Sequence, residues 1–197
     1  MATFYLVRHG HNDLLGEKLA GRMPGVHLNQ AGREQAERLA QDLGDKPIKA
    51  VYASPLERTI ETAQPIAAIQ QLEVQNSPAL IEIDFGDWSG QTFDTLLKQA
   101  LWQQVQERPS AVRFPNGESF EEAQARAVEE ITRLSEVYQQ EDIIVCVSHC
   151  DVIRLIIAHF LGMPLNAFQR LRVSPASRSV IYLFEGKATI EMVNQKV

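Results

Sequence analysis

Only two cysteines, Cys146 and Cys150, occur in this chain, and a disulfide framework needs more of them in looser segments. Buried thiols in a reducing compartment are the simpler reading, so a cytoplasmic location is expected. No apolar run approaches the roughly 20 residues that cross a bilayer, and the N-terminus has no basic stretch leading into a long apolar one, as a secretory signal would. With a formal net charge of −6 there is no basic excess to grip nucleic-acid phosphates. Blocks of like charge, repeats, low-complexity tracts and interdomain linkers are missing too. Membranes and nucleic acids are therefore set aside, and a small-molecule ligand is the expected partner. Oligomeric state stays open, with a homodimer as a candidate.

The 197 residues, 45% hydrophobic and 22% charged, fit one soluble domain spanning 1–197. Strand-like runs fall at 3–7, 49–53, 72–75, 143–148, 179–184 and 188–193, with helical patterns between most of them. That alternation predicts βα units and a mostly parallel sheet. The run Ile143-Ile144-Val145-Cys146-Val147 is apolar throughout, as in a central strand covered on both faces. Around Glu185-Gly186-Lys187 the last two runs turn into an antiparallel edge hairpin. The segment 31–43 places Ala36, Leu39, Ala40 and Leu43 on one helical face. Ser54-Pro55-Leu56-Glu57 reads as a helix start with Ser54 as cap and Pro55 in the first turn. Ser119-Phe120-Glu121-Glu122 reads as a capping box before a long helix whose apolar stripe runs from Phe120 to Tyr138. Residues 84–118 are irregular, with a helix expected at 92–106, and read as a lid or insertion.

Three strand ends carry chemistry. The first delivers Arg8-His9-Gly10; the second runs into the helix bearing Arg58; the third ends in Ser148-His149-Cys150-Asp151. In a parallel sheet these ends open on one edge, where ligands bind. Two guanidinium groups can neutralise phosphoryl oxygens. An uncharged imidazole at His9 can attack phosphorus, and a carboxylic acid must then protonate the leaving oxygen and later activate water. Glu82, within the otherwise apolar Leu80-Ile81-Glu82-Ile83, is the candidate acid, since burial raises a carboxyl pKa. Asp151 suits a helix N-terminus, and Arg170, Arg172 and Arg178 read as a solvated face.

At these residues the chain resembles the histidine phosphatase superfamily, in the branch that contains cofactor-dependent phosphoglycerate mutase. The motifs are Leu6-Val7-Arg8-His9-Gly10, Ala53-Ser54-Pro55-Leu56-Glu57-Arg58-Thr59, Glu82 with Phe85-Gly86-Asp87-Trp88-Ser89-Gly90, Gly117-Glu118-Ser119, and Ser148-His149. The resemblance implies a three-layer α/β/α sandwich around a mostly parallel sheet with an antiparallel edge. It implies that His9 is phosphorylated, that Glu82 is the proton donor, and that Arg8, Arg58 and His149 complete the phosphate pocket. Asn12, Gly21, Arg22 and Cys150 are expected to contact substrate. Three features depart from the family pattern: His11-Asn12 follow the first glycine, Leu15 stands where relatives often carry an asparagine, and Gly21-Arg22 align with a common Gln-Gly pair.

The activity implied is metal-independent hydrolysis of a small phosphorylated metabolite, with no cofactor. A phosphoglycerate mutase-type isomerase would use the same intermediate. Two further classes are a non-catalytic phospho-ligand binder and a metallohydrolase. The second rests on His9-Gly10-His11-Asn12-Asp13, which imitates an H-x-H-x-D ligand pattern but continues with Leu14 instead of histidine.

Overall fold

Strand β1, Ala2–Arg8, points Phe4 and Leu6 to one side of a sheet and Tyr5 and Val7 to the other, all of them buried. Such a strand must be covered on both faces, and the computed structural model, which describes residues 2–184 and 186–196, shows how. Strands β2 (Ile48–Ala53), β3 (Val74–Asn76), β4 (Ile143–Ser148), β5 (Arg178–Phe184) and β6 (Lys187–Gln195) join β1 in one sheet of order β3-β2-β4-β1-β5-β6. β1, β2, β3 and β4 are parallel, while β5 runs antiparallel to both β1 and β6. The expected mixed sheet is thus observed. Of the expected hairpin turn, Gly186 and Lys187 are described and Glu185 lies outside the described residues.

Helices α1 (Gln30–Asp42) and α2 (Glu57–Ile69) cover the Tyr5/Val7 face, where Leu39, Leu43 and Ile66 pack on Val51 and Val145. Helices α5 (Phe120–Val137) and α6 (Cys150–Phe160) cover the Phe4/Leu6 face. The result is three layers. The Ser119–Glu122 capping box forms at the start of α5 as expected, and the buried stripe follows it through Leu134. Tyr138 ends the stripe by pairing its hydroxyl with that of Tyr52 at 2.9 Å.

The helix expected at 92–106 is broken in two, α3 (Phe93–Leu96) and α4 (Ala100–Glu107). Gln99 takes an extended backbone and its side chain donates to Gln91 Oε1 at 2.8 Å, which interrupts the helical ladder. Within 84–118, Phe85, Trp88 and Phe114 are buried in the same core as the sheet. The ends of this segment are pinned together: Glu118 N donates to Asp84 O, and Asp87 N to Pro115 O. A Cβ on Gly86 would sit 2.0 Å from that Pro115 oxygen, so only glycine fits the junction.

A second close approach fixes the loop that leaves β1. Gly10 and Gly32 meet backbone to backbone: a Cβ on Gly32 would lie 2.0 Å from the His11 carbonyl oxygen, and one on Gly10 would lie 2.6 Å from that of Gly32. Backbone cannot yield as a flexible side chain can. Gly32→Ala is therefore expected to destabilise the fold by about 1–3 kcal/mol in urea unfolding and to lower activity by displacing the loop. Unchanged stability would mean that the two segments separate easily.

Candidate active site

β1 and β4 are in register, so that Arg8 pairs with Ser148 across the ladder and His9 and His149 leave the sheet side by side. Their rings are 5.3 Å apart between centroids. His9 Nδ1 lies 2.8 Å from the carbonyl oxygen of Gly10. A carbonyl only accepts, so Nδ1 carries the ring proton and Nε2 is left with a free electron pair. The Gly10 amide donates to Thr62 Oγ1, whose hydroxyl in turn donates to the Arg58 carbonyl. The peptide that sets the His9 tautomer is in this way tied to α2.

Arg58 enters from the first turn of α2 and is 2% exposed. Its Nη2 donates to Gly21 O at 2.7 Å and to His149 Nδ1 at 3.3 Å. Because a guanidinium cannot accept, His149 Nδ1 accepts, and Nε2–H faces Ser54 Oγ at 2.8 Å. Arg8 donates through Nη1 to Val173 O at 2.7 Å. Two buried atoms of these cations, Arg58 Nη1 and Arg8 Nε, have no hydrogen-bond partner among the described residues. Unpaired buried donors on two guanidiniums require an anion or water to complete them.

The same cations set the histidines. Burial, then Arg58 and Arg8, hold the His9 pKa well below its ordinary value, and burial, then Arg58, His9 and Arg8, hold His149 down likewise. Both imidazoles are uncharged at neutral pH.

Glu82 lies on the irregular segment between β3 and α3, with its side chain 13% exposed and Oε2 3.9 Å from His149 Nδ1. Burial first, and then the negative charge of Asp151, raise its pKa to about 7, against the opposing pull of the Ile83 amide and of Arg58 and Arg8. The backbone here is held by two arginines: Arg22 Nε donates to Glu82 O at 2.8 Å, and Arg126 Nη2 donates to the same oxygen at 3.2 Å. Glu118 bridges the two guanidiniums, at 2.8 Å from Arg22 and 3.0 Å from Arg126.

Arg8, His9, Arg58 and Glu82 line one cavity of about 470 Å³, together with Asn12, Gly21 and Cys150. His149 stands fully buried behind this lining. The first four of the five residues expected to carry the chemistry thus share the cavity, and the fifth contacts Arg58. Residues 4–196 match the histidine phosphatase superfamily (branch 1). The chain belongs to that superfamily.

Relatives and folds agree across the whole chain. Phosphoserine phosphatase 1 of Hydrogenobacter thermophilus is 31% identical over 199 residues, covering 98% of this chain and 92% of the relative. Adenosylcobalamin/alpha-ribazole phosphatase of Escherichia coli is 32% identical over 202 residues, covering 98% of this chain and 95% of the relative. Among solved structures, phosphoserine phosphatase of Entamoeba histolytica in complex with 3-phosphoglyceric acid aligns with a TM-score of 0.88 at 25% identity, covering 100% of this chain and 98% of that one.

Several expectations need correction. Arg22, expected to contact substrate, is not part of the cavity lining; its guanidinium meets Glu82 O, Glu118 and Asp84. Ser54 does not cap α2, which begins at Glu57 after Leu56 with no side-chain cap, because its hydroxyl is turned to His149. Arg178 is not on a solvated face: it is 7% exposed, lies over the Tyr5 ring at 5.0 Å and pairs with Asp42. His11 and Asp13 both meet the Asn29 side chain. Among the described residues, no group of three or more His, Cys, Asp or Glu side chains converges for a metal, and no helix is long and apolar enough to cross a membrane. Both cysteines are free thiols. Ser54, Thr62, Glu118 and Arg126 were not singled out as site residues. Only Ser54 and Glu118 had a signal, inside quoted motifs.

Folding raises the Glu82 pKa from 4.5 to about 7, so between those values the folded chain keeps a proton that the unfolded chain has released. This group's contribution to stability therefore falls as pH rises through that window, and the loss is complete above about pH 7. Glu82→Gln cannot ionise. Relative to the wild type it is expected to gain on the order of 2–3 kcal/mol between pH 5 and pH 8 in denaturant titrations. The same stability difference at both pH values would show that Glu82 titrates normally.

Proposed function

We propose that this protein is a phosphomonoester hydrolase acting on a small phosphorylated metabolite through a phosphohistidine at His9, with Glu82 as general acid and base and no metal in the reaction. The observation that carries this reading is a pair of guanidiniums with unpartnered buried nitrogens, the buried Arg58 and the half-buried Arg8, beside an uncharged imidazole whose Nε2 carries the electron pair. Relatives named as phosphatases support it.

Arg8 and Arg58 take the non-bridging oxygens, Asn12 and the Gly21 and Cys150 region bound the pocket, and His149 holds Arg58 in place. The His9 Nε2 electron pair forms the N–P bond as the ester P–O bond breaks. The electrons of that bond go to the leaving oxygen, which takes the proton from Glu82. In the second half-reaction Glu82, now a carboxylate, removes a proton from water. The water oxygen forms a new P–O bond, the N–P bond breaks, and inorganic phosphate leaves with His9 and protonated Glu82 restored. Stabilisation of the equatorial charge needs only groups already fixed in position, so the site reorganises little during transfer.

His9→Ala is expected to lower phosphatase activity by at least about a thousandfold and to remove the acid-labile, base-stable phosphoprotein trapped by rapid quench during wild-type turnover. Wild-type activity in that variant would end the nucleophile assignment. Adding a bisphosphoglycerate primer with 3-phosphoglycerate tests the mutase alternative: 2-phosphoglycerate formed faster than inorganic phosphate would favour an isomerase.

Glu82 must be protonated to assist departure, so kcat/KM for alkyl phosphates should fall as pH rises above about 7. Glu82→Gln is expected to slow alkyl esters at least about tenfold more than p-nitrophenyl phosphate, whose leaving group needs little protonation. Equal losses on both would remove Glu82 from the acid role.

A further inference from the structure

Beyond the reacting groups, the cavity is walled by apolar side chains: Phe85, Trp88, Phe114 and Phe120 from the buried core, and two sets nearer the opening. Leu14, Leu15 and Leu19 come from the loop after β1, and Phe93, Trp102 and Val105 come from α3 and α4. Trp102 stacks on the buried Trp88 ring with centroids 6.0 Å apart and planes 25° from parallel. Phe93 meets Trp102 edge-on at 6.2 Å and 75°. Phe93 and Trp102 are only half-buried, so each keeps ring surface open towards the cavity.

The charges available to a leaving group are few. Asp151 and Arg154 both line the cavity but are paired with each other at 2.9 Å. Lys18 lies on an exposed loop. Gln106 and Gln169 add neutral amides. An amino-acid leaving group, with its ammonium and carboxylate, would find only the free edges of the Asp151–Arg154 pair and the exposed Lys18, and would set the rest of its charged surface among leucines and aromatic rings. A polyol would lose water hydrogen bonds against the same wall. A flat uncharged ring loses little and buries its faces on Trp102 and Phe93.

Resting on the phosphatase reading above, we infer that the preferred substrates are phosphomonoesters of alcohols that carry an uncharged aromatic ring, seated on Trp102 and Phe93. Ester chemistry is still set by the sheet-edge residues, whereas selectivity comes from this wall. The choice of leaving group then appears in kcat/KM through binding of the remote ring.

The test compares primary alkyl phosphates, whose leaving oxygens are similar: 2-phenylethyl phosphate, ethyl phosphate and sn-glycerol 3-phosphate. The aromatic ester is expected to exceed each of the others in kcat/KM by about tenfold or more. Hydrolysis of the three at equal rates, or preference for glycerol 3-phosphate, overturns the inference and leaves the phosphatase reading standing. If none is hydrolysed, the phosphatase reading fails, and the ring preference is read instead by calorimetry. On His9→Ala, 2-phenylethyl phosphate should then bind about tenfold more tightly than ethyl phosphate, and equal or undetectable binding overturns the inference. Trp102→Ala should narrow the phenylethyl-to-ethyl ratio about fivefold, while Trp102→Phe, which keeps a ring, should restore most of it. An unchanged ratio in a folded Trp102→Ala protein also overturns it.

Discussion

The placement of two permanent cations at one end of the cavity, Arg58 buried and Arg8 half-buried, governs this site. Arg58 is all but fully buried, and among the described residues neither it nor Arg8 has a carboxylate within ion-pairing distance. A guanidinium cannot shed its proton at any ordinary pH, so the electrostatic strain has to be relieved by other groups. Main-chain carbonyls do part of it: Gly21 for Arg58 and Val173 for Arg8. The rest falls on the ionisable neighbours, which adopt whatever protonation state the field favours.

That field assigns the chemical roles. His9 and His149 stay neutral first because burial strips water from the charged form, and then because a third or fourth positive charge in the same volume is unfavourable. Neutrality is the condition for nucleophilic attack, so under the proposed function the groups that would bind the phosphoryl oxygens also keep the nucleophile active. Glu82 experiences the opposite balance. Attraction to Arg58 and Arg8 lowers its pKa, but burial and Asp151 outweigh them, which keeps a proton on it near neutrality. One residue is thus held as a base and the other as an acid at the same pH, the separation that acid–base chemistry at a single site requires. The Arg22–Glu118–Arg126 brace contributes through geometry: it holds the Glu82 backbone through its carbonyl and places no cation at the carboxyl that would drain the proton.

Much of this was legible from local pattern. Continuous apolar runs marked β1 and β4, and strands that end in Arg8-His9 and Ser148-His149 marked the sheet edge where they meet. The chemistry of those residue types required a shared anion, and the register of β1 with β4 supplies the meeting point. What escaped depended on distances between segments far apart in the chain. Ser54-Pro55-Leu56-Glu57 contains every local sign of a capped helix, yet the Ser54 hydroxyl is drawn to His149, 95 positions later. Arg22 sits in a segment that looked like substrate-binding loop, and only the folded position of Glu118 explains why it turns the other way. The single helix expected over 92–106 failed for a related reason, because Gln99 exchanges helical backbone for a tertiary tie to Gln91.

The two ends of the cavity differ in how freely they can vary. At the phosphate end each group is constrained several times over: Gly10 by backbone contact with Gly32 and by bonds to His9 and Thr62, Arg58 by Gly21 and His149, Glu82 by two arginines. A substitution there disturbs more than one partner. The apolar wall on α3 and α4 touches none of these bonds and is anchored through its own aromatic contacts and through the pinned junction at Gly86 and Pro115. Side chains on that wall can change size and polarity while the reacting atoms stay in place. Members of one superfamily can therefore keep a common transfer chemistry and diverge in what they cleave, with the half-buried side chains that α3 and α4 turn to the cavity, such as Phe93 and Trp102, as the part of this chain where divergence costs the fold least.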